Sequence, residues 1–150
     1  MKKMHLILLS FLLLGAMSCS EEELIERREE KIFGTWKFDK VFFKGYNALF
    51  RDNITHLYEG DILTFNTDYT CTYDDAGQQY VYAGDWFVNL EVFTDPDGAE
   101  NVYFLDALFY GKYPEDDFGY YAEIEWLTQN SMTISYTTND GEYTWRLSRY

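Results

Sequence analysis

Cysteine, histidine, proline and basic charge are all scarce in this chain. Its 150 residues hold two cysteines, two histidines and two prolines. A zinc site needs three or four His, Cys or carboxylate ligands in register. His56 is the one histidine beyond the amino-terminal segment, so a His cluster cannot be assembled there. A Ser-His-Asp arrangement would have to use His56, and no nucleophile-elbow motif accompanies it. No glycine-rich phosphate loop occurs, and no cofactor is expected. Lys and Arg number 12 against 26 Asp and Glu, a formal net charge of −14. Nucleic-acid binding rests on Lys and Arg neutralising phosphates, so this balance argues against a DNA or RNA partner. The longest apolar run, Leu6 to Leu14, falls short of the ~20 residues that cross a bilayer. The acidic loops around Asp74, Asp95 and Glu115 lack the length and ligand register of an EF-hand and read as solvated. No two carboxylates are placed at a separation that would support glycoside hydrolysis. A binding protein is expected rather than an enzyme.

The amino terminus is what remains distinctive. Lys2 and Lys3 precede the apolar run, and Gly15, Ala16 and Ser18 follow it. A positive n-region, an apolar h-region and a small-residue cleavage zone make a secretory signal. Cys19 comes next, and Ser20-Glu21-Glu22-Glu23 turns acidic. Ala16-Met17-Ser18-Cys19 resembles the lipobox of bacterial lipoproteins. That resemblance implies cleavage before Cys19 and lipid attachment to it, with anchoring to the membrane. The acidic run resembles the export signal of some surface lipoproteins of Gram-negative bacteria. It implies an outer-membrane lipoprotein, exposed at the cell surface or held on the periplasmic side. Residues 1–18 are then the signal peptide, 19–31 an acidic tether and 32–150 a single domain. With Cys19 lipidated, Cys71 has no disulfide partner and is expected to point inward.

The domain is rich in aromatic residues, with 14 Tyr, 12 Phe and 4 Trp. Aromatics and Thr suit pleated, half-buried surfaces. Strands are expected over 35–44, 61–65, 69–73, 79–94, 101–111, 120–127, 131–138 and 142–149. Asn66-Thr67-Asp68, Asp95-Pro96-Asp97-Gly98 and Asn139-Asp140-Gly141 carry turn chemistry between them. Val41-Phe42-Phe43 breaks the alternation of the first strand and suggests a bulge. Tyr46, Leu49, Phe50, Ile54, Leu57 and Tyr58 recur near helical spacing, which predicts one short helix after the first strand and a lid over an opening. Eight such strands predict an all-β, antiparallel up-and-down β-barrel. An open β-sandwich is the alternative.

Several segments also resemble the lipocalin-like lipoproteins of Gram-negative bacteria. Gly34-Thr35-Trp36 and Gly84-Asp85-Trp86 are similar to their Gly-x-Trp motifs, and Leu63 to Thr70 to their hairpin with the pattern LTF-x-x-D-G-T. Ile124 to Met132 and Tyr143 to Arg149 resemble their last strands. In the wider lipocalin family a last-strand Arg packs on the first-strand Trp. The resemblance thus implies barrel closure by Gly34, Trp36 and Arg149, with Arg146 as the other possible partner. It implies a ligand-binding barrel. Phe38, Phe65, Tyr73, Trp86, Tyr103, Trp126, Tyr136 and Trp145 are the candidates to line a cavity for a small apolar or amphipathic ligand. The same side chains could instead fill the barrel as core. A packed barrel would act as an interaction module for another envelope protein.

Overall fold

The computed structural model describes residues 20–96 and 98–150. The expected signal peptide and the expected lipid attachment at Cys19 lie outside the described residues.

Where a solvated tether was expected, the chain forms an α-helix, α1 (Glu21–Ile32). The reason is local. Ser20 is the N-cap, and its Oγ accepts from the Glu23 N–H at 3.3 Å. Glu21, Glu22 and Glu23 occupy the first turn and Lys31 the last, which suits the helix dipole. The Glu23–Arg27 pair closes at 2.6 Å one turn apart. Ile32 is fully buried, and Leu24 and Ile25 pack against the core. The acidic run is therefore the charged face of a docked helix.

Eight antiparallel strands close into a barrel. They are β1 (Gly34–Gly45), β3 (Ile62–Phe65), β4 (Thr70–Asp75), β5 (Tyr80–Asp95), β6 (Gly98–Tyr110), β7 (Phe118–Leu127), β8 (Ser131–Thr137) and β9 (Gly141–Arg149). A two-residue strand, β2 (Asp52–Asn53), adds to β1 at Phe42 and Phe43. Each barrel strand pairs with the next, and β9 returns to β1 from Trp36↔Arg149 to Gly45↔Gly141. Closure leaves the barrel without a free edge along that seam. The first-strand bulge falls at Asp39, two residues before the expected break, and shifts the inward phase from Phe38 to Val41. The short helix after the first strand is a 3-10 turn over Thr55–Tyr58. Thr55 Oγ1 accepts from the Val41 N–H at 2.9 Å and so seats this turn on the bulged strand.

Connections alternate between the two ends. The β3–β4, β5–β6 and β7–β8 turns, together with α1 and the carboxyl terminus, lie at one end. The β1–β3, β4–β5, β6–β7 and β8–β9 links lie at the other. Tyr69, in the β3–β4 turn, adopts φ 65° where glycine would be easiest. Left-handed backbone costs a non-glycine residue about 1–2 kcal/mol. The side chain offsets this by donating its hydroxyl to Glu29 at 3.0 Å and stacking on Phe87, tying the turn to α1.

The first end is packed solid. Trp36 and Trp86 are fully buried there with Ile32, Phe65, Leu105 and Leu147. Trp36 Nε1 donates to the Ile32 carbonyl at 2.7 Å and Trp86 Nε1 to the Asn66 carbonyl at 3.1 Å. Cys71 is buried as expected, and burial pushes its thiol up to about 12. Arg149 lies over the Trp36 ring, its guanidinium carbon 4.2 Å from the centroid. The same guanidinium donates to the carbonyls of Phe33, Lys31 and Gln129. Arg146 instead faces outward over Phe42. Gly34, at φ 114°, has no Cβ because one would overlap the Arg149 guanidinium.

Arg149→Ala is expected to destabilise the fold by about 2 kcal/mol, since three backbone carbonyls, one of them part-buried, lose charged donors and the ring loses its cation. Arg149→Lys keeps the charge but not the fork, and should recover less than half of that. Denaturant melts of the three proteins check it.

Candidate functional site

The expected ligand-lining residues divide between two environments and one misplacement. Phe65, Trp86 and Tyr103 belong to the packed end. Phe65 meets Trp86 edge to face at 5.2 Å, and Arg28 of α1 covers Tyr103 at 3.5 Å. They are core rather than pocket wall. Trp126 is 61 % exposed on the outer wall. Alternation from Phe118 through Tyr120, Ala122 and Ile124 would turn it inward. A bulge at Glu125 shifts the register between Ile124 and Trp126 and rotates the indole out. Trp126 there borders a shallow depression of about 510 Å³ with Lys40, Arg146 and Asp39.

Tyr73, Phe38, Tyr136 and Trp145 lie toward the opposite, open end, where a pocket of about 740 Å³ enters the barrel. Tyr73 lines it directly. Phe38, Tyr136 and Trp145 form the layer behind the wall. Phe38 packs on Tyr58 at 5.2 Å, and Trp145 packs on Tyr120 at 4.6 Å and on Tyr136 at 5.2 Å. The wall itself adds Tyr58, Tyr82, Phe118 and Tyr120, which the sequence reading did not select. Three of these could have been found by parity. Tyr82 sits opposite Tyr73 in the β4–β5 register, and Phe118 and Tyr120 share the phase of buried Ala122. Tyr58 was visible only as part of a lid. That expectation is met in part: Leu57 and Tyr58 border the pocket, whereas Leu49 and Phe50 project into solvent at 89 % and 82 % exposure. His56 is exposed on the same turn.

Asp61 is the polar centre of the pocket. It is 3 % exposed. Its Oδ2 accepts from the Tyr73 hydroxyl and its Oδ1 from the Ala76 N–H at 2.9 Å. Burial raises the Asp61 carboxyl above the ordinary carboxylate range, and the two hydrogen bonds oppose that rise. Burial also raises the phenols of Tyr73, Tyr120 and Tyr136, so all three stay protonated donors. Asp75, Gln78, Tyr80, Lys112 and Asp116 complete the rim. One further polar atom is unsatisfied. Trp145 Nε1 is buried and interacts with the Tyr58 phenol without closing a well-formed hydrogen bond.

This chemistry suits binding. Rings give dispersion and apolar contact, phenols give a few directed hydrogen bonds, and one buried carboxyl gives a fixed polar point. Among the described residues no group of three or more His, Cys, Asp or Glu gathers to hold a metal ion. No described helix is long and apolar enough to cross a membrane. Comparison with known protein families, curated proteins and solved structures finds no match. What the geometry defines is therefore a class: a closed, eight-stranded β-barrel plugged at one end and open at the other.

The raised Asp61 carboxyl has a measurable consequence. The folded state holds this proton to higher pH than the unfolded chain does, whose Asp titrates near ~3.9. This contribution to stability falls as pH rises from the unfolded value through the folded one, and is level above that. Asp61→Asn removes the titration. Its melting temperature should gain on the parent's as pH climbs from about 4 to about 7. Parallel melting curves across that range would contradict the raised carboxyl.

Proposed function

We propose that this chain is a non-enzymatic, membrane-anchored, lipocalin-like lipoprotein that holds a small, partly apolar molecule in the open end of its barrel. One observation carries the reading: a pocket of about 740 Å³, walled by Tyr58, Tyr73, Tyr82, Phe118 and Tyr120, at the end opposite the helix plug. That volume falls within the range of small-molecule sites, about 300–1,000 Å³. The packed end supports it, because the aromatic core there supplies a rigid floor.

Thermal melting against a panel of neutral aromatics, short-chain lipids, haem and glycans tests the binding. A ligand at about a hundred times its Kd adds about 2.7 kcal/mol to the unfolding free energy. Leu57→Trp narrows the mouth and should weaken that ligand about tenfold, or ~1.4 kcal/mol. Trp126→Ala, on the outer wall, should leave it unchanged. No stabilisation by any member of the panel would sink the reading.

The anchor is tested separately. Intact mass spectrometry of the mature protein should find an acylated amino terminus beginning at Cys19. An unmodified Cys19 removes the anchor and leaves the barrel reading standing.

A second reading, docking to another envelope protein, is favoured by Trp126, whose indole stands exposed beside Lys40 and Arg146. Cross-linking in cells that loses its product on Trp126→Ala would support it, and recovery of no specific adduct counts against it.

A further inference from the structure

We propose that the open-end pocket selects an aryl-alkyl ammonium, an organic cation with an aromatic body, seated with its charge at Asp61. The inference rests on the ligand-binding reading above and adds the charge and class of the ligand.

Three observations converge on it. The first is the missing counter-charge. Asp61 is 3 % exposed, yet its partners are a phenol and a backbone N–H, both neutral. Among the described residues the one ion pair is Glu23–Arg27, on α1 at the far end. A buried carboxylate without a cation is costly. Each Asp61 oxygen has accepted one hydrogen bond and retains a lone pair for another donor. An ammonium in the pocket would supply both the charge and the donor.

The second is the wall. Tyr73, Tyr82 and Phe118 contact one another at 4.9–6.2 Å between ring centroids, and Phe118 continues to Tyr120 at 5.7 Å. Ring faces attract ammonium groups, more strongly where water is excluded. A neutral ligand would gain the rings but not the carboxylate, and an anion would meet repulsion.

The third is the field around the pocket. Asp75 and Asp116 join Asp61 on the lining against Lys112 alone. Lys112 Nζ lies 5.4 Å over the Tyr113 ring and forms no ion pair with any of the three. Asp61 and Asp75 both act on the Tyr120 phenol, so their charges are felt across the pocket. The chain as a whole, at −14, draws cations toward this mouth.

The test compares three probes of one shape: tyramine, its neutral alcohol tyrosol, and the carboxylate hydroxyphenylpropionate. Titration calorimetry is done on the full chain in detergent at neutral pH and low salt. Tyramine should bind at least about tenfold tighter than tyrosol, the scale of one desolvated cation contact. Hydroxyphenylpropionate should bind worst. Asp61→Asn should bring tyramine and tyrosol to within about twofold of each other, chiefly by loss of tyramine affinity. Asp116→Asn serves if the Asp61 variant does not fold, because Asp116 is exposed and its side chain makes no hydrogen bond. It should lower tyramine affinity by a larger factor than tyrosol affinity. Equal binding of tyramine and tyrosol overturns the cation inference and leaves the pocket reading intact. Tighter binding of the carboxylate also overturns it. Failure of all three probes overturns it too; the broader melting panel then decides the pocket reading by itself.

Discussion

The fork of Arg149 is the contact on which the architecture turns. It comes from the last strand, lies over the ring of the first-strand Trp36, and donates to carbonyls at the end of α1 and in the β7–β8 turn. Barrel closure, helix docking and the packing of one turn therefore share a single side chain. A guanidinium can do this because its donors are planar, fixed and always charged. Burial lowers its pKa, but a guanidinium keeps its charge in proteins. Gly34 is the complementary concession, a residue without a Cβ where the fork passes. Trp36, Trp86 and Phe65 are all buried at this same end.

Aromatic side chains are used in two ways at the two ends. At the plugged end their N–H groups are spent on backbone carbonyls, and their rings are fully covered. Toward the open end Tyr73 and Tyr82 donate to side chains, and one indole N–H closes no well-formed hydrogen bond. The polar capacity left unused at that end is what separates a receptive surface from core. Rigid packing beneath it keeps the rings in place when the pocket is empty.

Much of the barrel was legible in the residues. Alternation and turn chemistry located all eight strands, because period-two patterning and Gly, Asp and Asn turns are local signals. The Trp36–Arg149 contact was legible through the family resemblance and the parity of Trp145, Leu147 and Arg149. Two features were not. α1 was read as a tether because its charge dominates its composition, although Ser20-x-x-Glu23 is a helix-start pattern. Trp126 was placed inside because parity carries no warning of a bulge at Glu125. The pocket was legible at Tyr73 and, as a lid, at Leu57 and Tyr58. Its other walls bring Tyr82 of β5 and Phe118 and Tyr120 of β7 together with residues of the links at one end, and Asp61 gains its meaning from burial that only the folded chain creates.

The placement of α1 also sets an orientation. The helix enters at the plugged end, and the pocket opens at the other. Any attachment made ahead of Ser20 would thus hold the barrel like a cup on a stem, its mouth turned outward. Cargo would arrive from the surrounding fluid rather than laterally out of a bilayer. Under the proposed anchoring, such a mounting would favour water-soluble molecules met by diffusion over membrane lipids.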